Sequence, residues 1–318
     1  MLTEAAGNGP ARSGARRWQL GVILLVVLLT GAPAREARAL ECAPLASGTV
    51  ADIGAIVHRH GLLWRIVAPG GAESTLLGTM HVADPRVSAL REAARSHFDA
   101  ADTFVMEVVL DGEAIATLQR AMFYAEDTSL RETLGEPLFT RAAAAMVDYG
   151  LGPEVVARMK PWAVFLTLSQ PSGQSGAALD LALMHDAQAA GKSVIGLETV
   201  AEQIGLFEAL EEREQIAFLR EMACHHAVFQ AEIEDMVERY AARDLAGLTE
   251  LSLRHVAAHN QAFVDALLWQ RNERMLRRLA PLIDAGDAFI AVGALHLPGS
   301  RGLLQSLERD GYTVEMIY

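Results

Sequence analysis

The chain has 318 residues, 51% of them hydrophobic, with 40 acidic against 27 basic residues and a net charge of −13. That balance argues against a nucleic-acid binder, which needs basic patches to neutralise phosphates, and against a ligand for anionic membrane surfaces. The two cysteines exclude a multi-thiolate zinc or iron–sulfur site within one chain.

Residues 1–39 read as a cleaved signal peptide. Arg12, Arg16 and Arg17 precede the apolar run 20–29, which is too short to span a bilayer, and Ala37-Arg38-Ala39 supplies a small-x-small cleavage pattern. An uncleaved anchor is the alternative and would be the only membrane contact. Cleavage removes five arginines and two glutamates, taking the net charge from −13 to −16. The expected setting is periplasmic or secreted, where Cys42 and Cys224 suggest one disulfide; a buried Cys224 thiol in a helical pattern is the other option.

Residues 40–318 are expected to form one folded domain. Leu62–Val67 and Thr75–Val82 read as paired strands around the turn Pro69-Gly70-Gly71. Asp84-Pro85 opens a helix through about Phe98. Thr103 to Leu110 is a buried strand by its β-branched content, and Ser193 to Glu198 is another short apolar strand. Two helical insertions are expected, over about 112–190 and 200–280. Ala288–Leu297 is the last core strand, followed by a helix from about Gly302 and a closing strand over 312–318. Strands at both ends with helices between them predict an α/β (mixed α+β) fold whose central sheet joins the two chain ends.

Two segments echo each other, Leu77-Gly78-Thr79-Met80-His81 and Val292-Gly293-Ala294-Leu295-His296. Each is an apolar strand that breaks at glycine and delivers a histidine three residues later, the trace of a degenerate β-α duplication. Histidine binds metals or carries a proton near neutral pH, and a glycine beside it admits close approach. Glu107 interrupts an apolar strand, where an unpaired carboxylate costs several kcal/mol unless a cation faces it. Glu198 ends a strand, where α/β sites collect polar groups; the capping box of Thr199 and Glu202 does not require it. Arg271 and Asn272 lie on a helix with an apolar face, so Arg271 is expected to seek Glu107 or Glu198. Arg274, Arg277 and Arg278 read as exposed. His255 and His259 stand four apart but lack a zincin glutamate. Gly173-Gln174-Ser175-Gly176-Ala177 lacks the second glycine of a nucleophile elbow.

On these residues, together with Ala101-Asp102, Leu179-Asp180, Gln203 and Pro298-Gly299, the chain resembles the TraB/GumN family over about residues 62–318. The resemblance implies a fold related to erythromycin-esterase-like and haem-binding ChaN-like proteins, and a metal-dependent hydrolase. Proteases of the family's animal branch are described as needing manganese or cobalt. His81, Glu107 and His296 would then hold a divalent metal (Mn, Co or Zn) or, with water, act as acid and base. Arg271 would stabilise an oxyanion, and Glu198 would orient its neighbours or act as base. The expected partner is a peptide or small-molecule substrate. The rival readings are a metal-free His/Glu esterase-type hydrolase, or a periplasmic haem- or peptide-binding protein.

Overall fold

The computed structural model describes residues 40–49, 56–125, 128–174 and 176–318. The expected leader and Ser175 lie outside the described residues. Among the described residues no helix is long and apolar enough to cross a membrane.

The expected α/β architecture is the observed one. Six strands, β1 (Leu63–Val67), β2 (Glu73–Thr79), β3 (Thr103–Met106), β4 (Ser193–Gly196), β5 (Ala288–Gly293) and β6 (Thr313–Met316), form one sheet in the order β4-β3-β5-β2-β1-β6. β4, β3, β5 and β2 run parallel, and β1 and β6 complete the sheet antiparallel. The C-terminal β5 is therefore inserted between two N-terminal strands. Its residues Phe289, Ile290, Ala291 and Val292 are essentially inaccessible, as expected for a strand covered on both faces. Phe98, Phe104 and Phe289 pack edge-on and stacked in the core beside it.

The two Gly-x-x-His segments lie side by side, because β2 and β5 are neighbours. Thr79 pairs with Gly293, so the two motif glycines sit one residue out of register. Each glycine answers a separate close approach. A Cβ on Gly78 would stand 2.7 Å from Leu297 Cδ1, and one on Gly293 would stand 3.0 Å from Glu107 Oε1.

The strands are shorter than the sequence predicts. β3 ends at Met106, so Glu107 lies just past the strand rather than on one face of it. The chain leaves the sheet there because Val108 joins a second apolar core formed by the helical block, with Trp162, Phe139 and Phe218 among its members. β2 and β5 likewise end at Thr79 and Gly293; His81 follows in a bend, and His296 closes the 3-10 turn Ala294–His296. The helix expected over 85–98 is divided at Ala94 into Pro85–Ala93 and Arg95–Ala100, with Asp84 capping the first. The helix carrying Arg271 contains a π-helical segment, Asp265–Trp269, before Gln270–Ala285. Such widened turns recur at functional sites.

Cys42 and Cys224 form a disulfide, with Cα atoms 5.7 Å apart. It ties the segment 40–49 to the helix Glu212–Cys224, where Ala46 N–H donates to Glu221 (3.1 Å) and Gly48 N–H to the Arg254 carbonyl (2.8 Å). The bridge spans a sequence separation of 182 residues, and loop-closure entropy for a ring of that size corresponds to about 5 kcal/mol. The double variant Cys42→Ser/Cys224→Ser should lose stability by up to that amount in urea unfolding. Equal midpoints and slopes with and without the bridge would show that the segment adds nothing to the fold.

Candidate functional site

The four parallel strands all point their carboxyl ends at one edge of the sheet, and each is followed there by one of the expected residues. His81 comes two residues after β2, Glu107 directly after β3, Glu198 two after β4 and His296 three after β5. Polar groups gather at this edge because the strand ends leave backbone and side chains free of the ladder. The helix Gln270–Ala285 lies against the same edge and supplies Arg271 and Asn272, both buried.

Arg271 joins two of the glutamates. Its Nη2 contacts Glu107 Oε2 and donates to Glu198 Oε2 at 2.6 Å; its Nε donates to Glu198 Oε2 at 2.8 Å, and its Nη1 to the Leu267 carbonyl in the π-helical segment at 3.2 Å. The Glu198 side chain has no solvent exposure. Its second oxygen is held by Arg274 at 2.5 Å and 3.1 Å. Arg274, expected on the surface, is thus part of the cluster, and Arg278 pairs with Glu202 and the Leu197 carbonyl. A helix spacing alone cannot distinguish these arginines from Arg277, because the acids they meet come from a distant segment, the end of β4 and the helix that follows it. Gln203 donates weakly to both Glu107 and Glu198, at 3.4 Å and 3.3 Å.

Glu107 completes its contacts with Gly293, whose N–H donates to Oε1 at 2.6 Å. Burial favours the neutral acid; the positive charges of Arg271 and His81 and the Gly293 N–H outweigh it and hold the carboxyl well below the usual range. Glu198 is also lowered, its burial offset first by Arg271 and then by Arg274. Both acids are therefore ionised at neutral pH.

His296 is oriented by Asn272. The Asn272 amide nitrogen donates to the carbonyls of His296 (3.2 Å) and Arg301 (2.9 Å), which leaves Asn272 Oδ1 facing His296 Nδ1 at 2.6 Å. That arrangement assigns the proton to Nδ1 and leaves the Nε2 lone pair 3.7 Å from Glu107 Oε1. Burial pushes His296 down to about 4 against the attraction of Glu107, so the ring is neutral at pH 7.

His81 is in the opposite state. Its Nδ1 lies 2.9 Å from Asp180 Oδ1, and 57% of its side chain is accessible to solvent. Desolvation by its neighbours opposes the charge, but the Asp180 and Glu107 carboxylates prevail and raise it to about 9. Solvent screens an ion pair this exposed, so it contributes little to stability. Asp180 and Asn272 accompany the expected residues in the sequence motifs without an assigned role; their partners became visible only in three dimensions.

Both imidazoles, Glu107 and Arg271 line one cavity of about 380 Å³. The donor chemistry of the Glu107–His296 pair fits a divalent metal: an ionised carboxylate and an imidazole lone pair stand 3.7 Å apart, close to the roughly 3.4 Å between two ligands of one tetrahedral ion. The Asn272 contact is the kind that fixes a ligating imidazole. Among the described residues no group of three His, Cys, Asp or Glu side chains converges on a common ligating point. Three other histidines are engaged elsewhere: His255 with Glu232, His259 with Glu221, and His226 with the Tyr149 hydroxyl.

The sequence model of the TraB/PrgY/gumN family matches residues 62–316, and the chain belongs to that family. It is similar to Metalloprotease TIKI2 of Danio rerio, 24% identical, with 80% of this chain and 61% of the relative aligned. It is also similar to a Metalloprotease TIKI homolog of Nematostella vectensis, 26% identical over 44% of this chain and 35% of the relative. The chain thus spans about three-fifths of the longer-matched relative. No solved structure matches.

The opposed imidazoles give stability a defined pH dependence. Between pH 6.5 and about 4 an unfolded histidine is protonated while folded His296 is not, so its contribution is present above 6.5 and lost as pH falls toward 4. The loss from this one group is on the order of 3 kcal/mol, and below about pH 5 the loss from Glu107 and Glu198 adds to it, because their unfolded forms begin to protonate there. His296→Phe should flatten the unfolding free energy across this window in urea titrations of chelator-treated protein. An unchanged slope would mean that the folded ring holds its proton.

Proposed function

We propose that this member of the TraB/PrgY/gumN family is an exported, metal-assisted hydrolase that cleaves peptide bonds at the cavity edge lined by His81, Glu107 and His296. The observation that carries this reading is the Glu107–His296 pair, with its charge state set by Arg271 and its tautomer by Asn272. The two metalloprotease relatives support the reaction class. The leader-like run at the start of the chain supports export.

His296 Nε2 and Glu107 are the groups that would hold a divalent ion, which when bound supplies Lewis acidity and a water of lowered pKa. Glu107 itself is a weak base, because its surroundings keep it ionised, and Glu198 has both oxygens on arginines and meets no solvent. Glu198 therefore positions Arg271. Arg271 in turn fixes Glu107 and places a positive charge on the cavity wall, where the carbonyl oxygen of a scissile bond gains negative charge. His81 is protonated at neutral pH, with Nδ1 on Asp180, so its other nitrogen presents a proton to the cavity. It would pass that proton to the amine as the carbon–nitrogen bond breaks, and take one back from the water oxygen that has added to the carbonyl carbon, so that the ring ends the cycle protonated.

Elemental analysis and turnover assays separate these roles. Wild-type protein should carry bound divalent metal, and His296→Ala and Glu107→Gln should lose both metal and activity. His81→Ala should keep the metal and lose about 100-fold or more in kcat. Asn272→Ala should weaken metal binding or activity by about 10–100-fold. Full turnover after exhaustive chelation would leave acid–base chemistry without an ion on the same residues. Metal loss in His81→Ala would make His81 a ligand.

A further inference from the structure

The reacting edge opens in two directions. The 380 Å³ cavity continues away from His296 and Arg271 into the helical block, and a second cavity of about 330 Å³ lies on the other side. Thr79, His81, Glu107 and Gln170 line both, so the site is the throat between two chambers.

The larger chamber has an aromatic wall. Phe165, Phe207, Phe263 and Phe218 form a closed circuit with successive ring centroids 5.9, 6.0, 5.6 and 5.5 Å apart. Met222, Met236 and Leu251 add flexible and branched apolar groups to the lining. The charged groups in the lining are already partnered. Glu232 is held by Arg254 and lies 3.1 Å from His255, whose other nitrogen meets the Ala46 carbonyl. At the throat, Arg271 and Glu107 hold each other. A charged or strongly polar group passing His81 at the throat into the chamber would lose water and meet only charges that already have partners, whereas an apolar side chain would leave water at no such cost.

We infer that this chamber is the specificity subsite for a bulky apolar side chain, aliphatic or aromatic, of the peptide residue beside the bond to be cut. The inference deepens the hydrolase reading and rests on it. The second chamber, lined by Asp180, Gln203 and Leu181 among others, gives the peptide room to continue past the throat. Met236 and Leu251 line this chamber and not the second one, so they set its capacity.

Quenched peptides of Gly and Ser carrying one variable position test this directly, with cleavage sites mapped by mass spectrometry on the metal-loaded, disulfide-intact protein. Cleavage should occur next to Leu or Phe, with kcat/KM about 100-fold or more above the Ala peptide, since each methylene in an apolar pocket is worth about 10–200-fold. Lys and Asp peptides should be poorer than Ala. Met236→Trp and, independently, Leu251→Trp should fill the chamber: at least a tenfold loss for the Phe peptide, with the Ala peptide within about twofold of wild type. A cooperative thermal transition checks that each variant is folded. Cleavage that ignores the variable residue, or favours Lys or Asp, overturns the subsite and leaves the hydrolase reading intact. No cleavage, but calorimetric binding of the Phe peptide at least tenfold tighter than the Lys peptide, overturns the hydrolase reading and supports the subsite. Neither cleavage nor binding overturns both.

Discussion

The structure depends on one buried cation. Arg271 stands between Glu107 and Glu198, two carboxylates from neighbouring strand ends, and its side chain is 9% exposed. Three charges out of water are costly, and their mutual attraction recovers that cost only with close geometry. Here both acids are fixed by additional donors, Glu107 by Gly293 N–H and Glu198 by Arg274. Removing any member strands a charge in the interior. The cluster is therefore a determinant of shape as well as charge: it locks the helix Gln270–Ala285 onto the sheet edge, and that helix then presents Asn272 to His296.

From this lock the states of the imidazoles follow. His296 is buried with its proton on Nδ1, and it stays neutral. His81, at the mouth of the same cavity beside Asp180, stays charged. Two histidines delivered by similar sequences thus acquire opposite protonation because burial suppresses the charge on His296 while the Asp180 and Glu107 carboxylates sustain it on His81. One cavity therefore offers a lone pair on His296 and a proton on His81, two different chemical roles for the same residue type, set apart by environment.

The architecture that assembles them was largely legible in the chain. Apolar β-branched runs, three of them broken by glycine, located every strand that leads to a functional residue, and the echo of Gly78-x-x-His81 in Gly293-x-x-His296 pointed to one site built from two halves. The structure makes those strands immediate neighbours. What misled was strand length. Apolar content extended each strand through its functional residue, while the ladder ends earlier, at Thr79, Met106, Gly196 and Gly293. Beyond those points Val108 is drawn into the second core while Leu297 turns back onto the sheet's own core, and local pattern reveals neither. The inward-facing Arg271 was visible from its apolar helix neighbours, but Arg274 looked like any surface arginine.

The sequence by itself determined the fold class, the four strand-end residues and the arginine that pairs with the acids. These are short-range signals, in which a polar residue in an apolar run has to be compensated. Tertiary structure alone decided the order β4-β3-β5-β2, the disulfide between Cys42 and Cys224, the partners Asp180 and Asn272, and the aromatic chamber behind the throat. Each of these joins residues dozens to hundreds of positions apart, and such contacts are selected by how sheet and helices pack together, a constraint that no local window of residues contains.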